Sequence, residues 1–267
     1  MPESLRDGGD LAELSDLARR TAVEAAALIQ RMRTEAVDVA GTKSSDTDVV
    51  TRADLASEDL IRERILTARP DDGFIGEEGD DVGSTSGVTW VVDPIDGTVN
   101  YLYGLPHYAV SIAAQIASQT VIGVVRAPVL GAEYWAVRGR GSFRGDTRLR
   151  VRQGSAWSAA LVATGFGYEA AIRERQGRAV AALLPQIRDI RRLGSCALDI
   201  CAVAEGTVDA YVESGPNLWD HAAAALVAQE AGARFEVQPS ASGRELLLCA
   251  PSEGFAAFEA LAHACDF

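Results

Sequence analysis

Asp93 and Asp96 stand three apart in the stretch WVVDPIDGTVNY, straight after an apolar run and with no lysine or arginine among their sequence neighbours. Pro94 stiffens the link between them, so both carboxylates can converge on one point beyond the end of a strand. Crowded or buried carboxylates must be protonated or matched by positive charge. All-oxygen donor sets select hard cations, which makes Mg²⁺ the natural ion and Mn²⁺ its close substitute. The same two residues also fit a turn that merely caps the next element.

Other acids join them. Glu77 and Glu78 close the run FIGEE, and Asp220 opens the periodic, helix-forming stretch NLWDHAAAALVAQEAGA. Each alone fits a solvated loop acid or a carboxylate favoured near a helix N-terminus. Three acidic sites at element ends, from distant parts of the chain, point instead to one metal pocket of the kind used in phosphoester hydrolysis, where two ions hold the attacking water and the leaving oxygen in line. A helix or turn opening at Gly97 and Thr98 would aim free backbone N–H groups at a phosphate beside those ions. The D-x-D pattern of aspartyl-phosphate phosphatases is excluded by the two residues between Asp93 and Asp96. GRGSFRG reads as a hairpin turn rather than a nucleotide loop, because no helix follows it.

These residues need a scaffold. Residues 10–33 carry one apolar stripe and read as a surface helix; Thr51 caps a second helix with Asp54 in the capping-box position, and Pro70 ends it. GFIG, VTWVVD, YAVSIAAQI, TVIGVVRAPV and AEYWAV read as strands of a sheet with antiparallel hairpins, with LRVR trailing. The second half alternates: strands at ALVATGF, DIRRL, VDAYVE, ARFEV and ELLLCA, with helices near 170–184, 195–205, 219–232 and 254–265. That order implies sheets with helices packed on their faces. The expected division is an N-terminal α+β subdomain at 1–155 bearing the metal motifs and a C-terminal α/β subdomain at 156–267, closely packed as one unit.

With 267 residues, 48% hydrophobic, the chain can bury a full core without disulfides, and its four cysteines, which form no C-x-x-C pair, read as small buried residues. A formal net charge of −13 repels nucleic acid and anionic membranes, so an anionic substrate needs local positive charge. No apolar run is long enough to span a membrane, and the start MPESLRDGGD is unlike a signal peptide, which leads to the expectation of a cytoplasmic protein. Lys43 is the single lysine. His221 lacks zinc-site spacing, and Trp90 and Trp219 read as packing residues.

Taken in order, KSSDTDVVTRAD, FIGEE, WVVDPIDGTVNY and VESGPNLWDHAAAA resemble the Mg²⁺-dependent, lithium-sensitive inositol monophosphatases, and within them the bacterial SuhB-like enzymes, while DIRRLGSCALDICAVAEGTVDAYVE is similar to the inositol-phosphate branch. The resemblance covers residues 11–258 and implies a layered αβαβα sandwich of the inositol monophosphatase and sugar phosphatase type. It implies that Glu77, Asp93 and the Ile95 carbonyl bind one ion, that Asp93, Asp96 and Asp220 bind a second, and that Glu77 assists a third. Asp54 and Thr98 would activate the attacking water, and Gly97 and Thr98 would seat the phosphate. Glu213 would accept substrate hydroxyls, with Gly194, Ser195 and Cys196 lining that end and Lys43 in a loop near the ions. One departure concerns VATGFGYE, where Gly165 and Gly167 stand in place of a polar side chain that would reach the sugar. The activity implied is hydrolysis of myo-inositol monophosphate by a cytoplasmic homodimer. Fructose 1,6-bisphosphate, histidinol phosphate and 3′-phosphoadenosine phosphate are alternative substrates, and a regulatory protein acting on the transcription machinery is an alternative role.

Overall fold

A computed structural model describes residues 8–35, 39–42, 49–154, 156–240 and 243–267. The N-terminal half holds α1 (Gly8–Glu35), β1 (Val39–Thr42), β2 (Val49–Thr51), α2 (Arg52–Ala68), β3 (Gly73–Gly76), β4 (Val88–Asp96), α3 (Thr98–Tyr103), β5 (Ala109–Ile116), β6 (Gln119–Ala127), β7 (Ala132–Val137), β8 (Gly141–Arg144) and β9 (Thr147–Arg148). After it come β10 (Leu161–Thr164), α4 (Ala170–Leu183), β11 (Asp189–Arg191), α5 (Cys196–Glu205), β12 (Ala210–Ser214), α6 (Leu218–Glu230), β13 (Ala233–Pro239), β14 (Glu245–Pro251) and α7 (Phe255–Ala264).

Strands β3 to β9 form a seven-stranded sheet in sequence order, parallel between β3 and β4 and antiparallel beyond. A second, five-stranded sheet runs β11-β10-β12-β14-β13. Alternation along each strand assigns its side chains to layers, because successive residues face opposite sides. On one face of the larger sheet Trp90, Val92, Ile112 and Ile122 meet Ala22, Ile29, Ile61 and Ile65 of α1 and α2. On the other face Val91, Ala113 and Val125 meet Ala197, Ile200, Ala223 and Val227 of α5 and α6. Those helices also touch Tyr211, Leu247 and Cys249, while Val212, Leu246 and Leu248 turn away toward Leu183, Phe255 and Phe258 of α4 and α7. Five layers result, in the order helices, sheet, helices, sheet, helices.

The central layer corrects one expectation. Helix α6 is not amphipathic, since His221 to Val227 and Ala228 are all buried: it is covered on both flanks by the two sheets. Four consecutive alanines let it approach closely on every side, and a helix apolar all round belongs in a core rather than on a surface. Two further readings change. GSFR is a strand, β8, held between turns at Gly139 and Gly145, rather than part of one hairpin turn. LRVR is not a strand; pairing stops at Arg148, and Leu149 and Val151 instead donate N–H groups to Ser142 and Ala231, at 2.9 and 3.1 Å, as the chain crosses to its second half. The strands β1 and β2 flanking the polar segment before α2 were not expected. Among the described residues no helix is long and apolar enough to cross a membrane.

Candidate active site

Residues three apart on a regular strand face opposite sides, so Asp93 and Asp96 need a device to meet. Strand β4 supplies it: Asp93 pairs with Ser111 and Asp96 with Ala109, so three steps on β4 match two on β5, and the register slips between them. That bulge reverses the alternation and turns both carboxylates to the α5–α6 side. Asp220 reaches the same point from the first turn of α6, where it completes a capping box with Asn217. One carboxylate oxygen from each of Asp93, Asp96 and Asp220 lies within 4.8 Å of the others.

Glu77 follows β3, the parallel neighbour of β4, and comes within hydrogen-bonding reach of Asp93. Its loop is braced by the buried Glu58, which accepts the Glu78 N–H at 2.8 Å and pairs with Arg62 at 3.0 Å. Burial first, and then the charges of Glu77, Asp96 and Asp220, push the Asp93 carboxyl well above the ordinary range. Loss of water likewise raises Asp220, reinforced by Glu77 and Asp96. Asp96 rises to about 6: burial lifts it, while donated hydrogen bonds from Ser195 Oγ, Ala197 N and Cys196 N hold it down. Among the described residues no arginine forms an ion pair with Asp93, Asp96 or Asp220. Convergent oxygens lacking a protein cation fit hard divalent ions.

Beside this cluster lies a second pair. Thr51 N–H and Oγ both donate to Asp54 Oδ2, the former at 2.9 Å, in the predicted capping box of α2. Thr98 Oγ1 sits 3.0 Å from Asp54 Oδ1 and 3.1 Å from the Ile95 carbonyl, with one hydrogen to give between two acceptors. Burial raises Asp54 to about 6 against the pull of its Thr51 hydrogen bonds. Gly97 precedes α3 with φ of 92°, and a Cβ there would come within 2.9 Å of the His107 carbonyl, so glycine is required on both counts. Asn100 ties this turn to the Leu193–Gly194 segment by donating to His107 and Leu193 carbonyls at 2.6 and 2.8 Å.

Glu77, Asp93, Ile95, Asp96, Gly97, Thr98 and Asp220, though not Asp54, open on a cavity of about 280 Å³ that Gly194, Ser195, Cys196 and Glu213 also line. Tyr211 links the last two, its hydroxyl lying 2.7 Å from Glu213 Oε2 and 3.1 Å from Cys196 Sγ. Burial lifts Glu213 to about 7, opposed by the Tyr211 hydrogen bond and by Arg192. The glycine at 165 has a local cause, since a Cβ there would sit 2.0 Å from Glu213 Oε2: the carboxyl occupies the space that a side chain would need. Lys43 lies outside the described residues. Trp90 is a packing residue, wholly buried with its Nε1 donating to Asp72 at 2.9 Å. Trp219, by contrast, lines the cavity as well as packing on the core. His221 is buried against Phe235 and held neutral, its pKa lowered to about 4 by burial. Arg192, Arg244 and Asp199 also line the cavity and were not anticipated, because nothing in their local sequence departs from ordinary surface arginines or a polar helix residue.

Comparison with known proteins accords with this geometry. The model of the inositol monophosphatase family matches residues 10–256. An inositol-1-monophosphatase, SuhB, from Mycobacterium tuberculosis is 43% identical over 94% of this chain and 93% of its own length. A protein named Nus factor SuhB from Pasteurella multocida is 39% identical over 81% of this chain and 82% of its own. The solved structure of Mycobacterium tuberculosis SuhB superposes with a TM-score of 0.82 at 40% identity, covering 96% of this chain and 97% of that one.

Proposed function

Since this chain belongs to the inositol monophosphatase family, we propose that it is a Mg²⁺-dependent phosphomonoesterase that hydrolyses inositol monophosphate to inositol and phosphate. The observation that carries this reading is the meeting of Asp93, Asp96 and Asp220 in a cavity that Glu213 also lines. Both halves of the chain contribute to it, in line with one catalytic unit. Glu77, Asp93, Asp96, Asp220 and the Ile95 carbonyl would hold the ions, two or three Mg²⁺ or Mn²⁺. Bound there, these supply positive charge for the phosphoryl group and lower the pKa of water.

The remaining roles belong to the protein. Asp54, fixed through Oδ2 by Thr51, leaves Oδ1 to Thr98, so a proton can pass from the nucleophilic water through the Thr98 hydroxyl to the carboxylate. The N–H groups of Gly97 and Thr98, at the start of α3 and outside its own hydrogen-bond ladder, bind phosphate oxygens. Glu213 accepts hydrogen bonds from the polyol, while Gly194, Ser195 and Cys196 shape the wall beside it. Ser195 has a further part in this scheme, since its hydroxyl and the start of α5 orient Asp96.

Rates with inositol 1-phosphate, fructose 1,6-bisphosphate, histidinol phosphate and 3′-phosphoadenosine phosphate, each with Mg²⁺ and with chelator, test the reading. Fastest turnover of the inositol ester, lost on chelation, is expected; activity that survives exhaustive chelation, or a trapped phosphoenzyme, rejects it. The relative named Nus factor SuhB favours a second reading, a regulatory role in transcription alongside catalysis. Co-purification with transcribing RNA polymerase checks it.

A further inference from the structure

Asp199 occupies a place that the phosphatase reading does not explain. It lies in the first turn of α5, three residues beyond Cys196 and so on the same face of the helix, and it lines the same cavity as Glu213. The residue is 1% exposed, yet its Oδ1 has no hydrogen-bond partner. A buried carboxyl oxygen without a donor is costly, so a buried aspartate at a cavity wall calls for a group that arrives from the cavity. Burial and then the charges of Glu213 and, less strongly, Asp96 raise its pKa well above the usual range, so Asp199 and Glu213 feel each other; Arg192 and the Leu193 N–H pull the other way.

The charges around this pair decide what can fit. Arg192 is drawn to both Asp199 and Glu213. Arg244, the other arginine at the cavity, pairs with Glu169 at 2.5 Å. Two cations therefore face three carboxylates, which leaves no surplus positive charge for a second phosphate. A neutral alcohol with several O–H donors meets the opposite situation, since acceptors stand ready at Glu213 and Asp199, and the Tyr211 hydroxyl holds Glu213 through Oε2 alone.

We propose that Asp199 is a second hydroxyl acceptor on this wall, paired with Glu213, and that the two select monophosphates whose alcohol carries hydroxyls on neighbouring carbons. The proposal rests on the phosphatase reading above and adds a specificity residue to it.

The test compares D-myo-inositol 1-phosphate with 4-nitrophenyl phosphate, which has the same phosphoryl group and no hydroxyls, in wild type, Asp199→Ala and Asp199→Asn. Losing one hydrogen bond to a carboxylate is expected to raise KM for the inositol ester about tenfold in the alanine variant. The asparagine variant should show a smaller rise, because its amide can still contact a hydroxyl. KM for 4-nitrophenyl phosphate should stay within about twofold. Inhibition of 4-nitrophenyl phosphate turnover should follow the same split, with Ki for myo-inositol rising about tenfold and Ki for inorganic phosphate unchanged. An equal loss for both substrates would assign Asp199 a structural role in α5 and overturn the proposal, as would an unchanged Ki for myo-inositol in both variants. Failure of the underlying reading shows separately, as a wild-type protein that turns over 4-nitrophenyl phosphate but not the inositol ester; both inferences then fall.

Discussion

Replacing Asp93 by Asn should make the metal-free protein more stable while abolishing turnover. Asp93 is almost wholly buried, and one of its oxygens lies within 4.8 Å of oxygens from both Asp96 and Asp220. At an effective dielectric of about 20, like charges at that separation repel by about 3 kcal/mol per pair. Water reaching Asp220 and partial protonation of the cluster reduce the net relief to about 2 kcal/mol. For a chain of this size that corresponds to a rise in Tm of about 4–8 °C. The Ile95 N–H, which donates to Asp93 Oδ1 at 3.0 Å, keeps its acceptor in the amide. Differential scanning fluorimetry in chelator at pH 7.5 measures the gain, and a Mg²⁺ titration measures what is lost, since ions that bind the folded state raise Tm only where their ligands survive. The pH dependence has a definite sign. Asp96 is held at about 6, above the 3.8 of an unperturbed aspartate, so the folded state binds the proton more readily than the unfolded chain. The charged cluster therefore costs stability fully above about pH 6, and that cost fades as pH falls from 6 toward 4. The advantage of the variant should shrink accordingly at pH 5. A variant that melts below wild type in chelator at pH 7.5, or that keeps the full Mg²⁺-induced rise, would refute the reasoning.

Two further substitutions probe the rest of the site. Asp54→Asn should lower kcat by about 10²-fold or more with little change in KM, because it removes the proton acceptor behind Thr98. In wild type the carboxylate form is required, so with Asp54 near 6 activity should fall on the acid side, with a limb no higher than about pH 6; a limb unchanged in the variant would place it in another group. Gly165→Ala would drive a methyl group into the Glu213 carboxyl, so KM for the inositol ester should rise as in a Glu213→Gln variant while 4-nitrophenyl phosphate turnover persists. Steady-state kinetics with both esters check this, and an unaltered KM would remove Glu213 from the polyol wall.

The family fold and the acidic set were legible because their signals are local. Apolar runs broken by Gly, Pro and Asp marked the strands, and DPIDGT with the later WD marked the carboxylates, which the structure does bring together. What was not legible depends on tertiary position. Nothing in VVDPID announces the bulge that brings Asp93 and Asp96 to one side, since a register slip exists only against the partner strand. In sequence the stretch that becomes α6 reads only as a periodic helix, whereas burial between two sheets calls for apolar residues all round it from His221 to Ala228. Asp199 in GSCALDICAVAE is an unremarkable helix acid until the fold sets it beside Glu213, 14 residues away along the chain. In sequence Gly165 leaves the sugar contact either to the backbone or absent, but its meaning lies in the volume taken by another residue's carboxyl.

Helix α6 bears on how the protein can vary. It carries Asp220 on its first turn, and its alanines fill the narrow space between two sheets. Enlarging any of Ala222 to Ala225 would wedge the layers apart and tilt the helix, moving an ion ligand without touching the cavity. A saturation library should therefore find this helix as intolerant as the acidic residues themselves, and second-site suppressors should cluster on the sheet faces that clasp it.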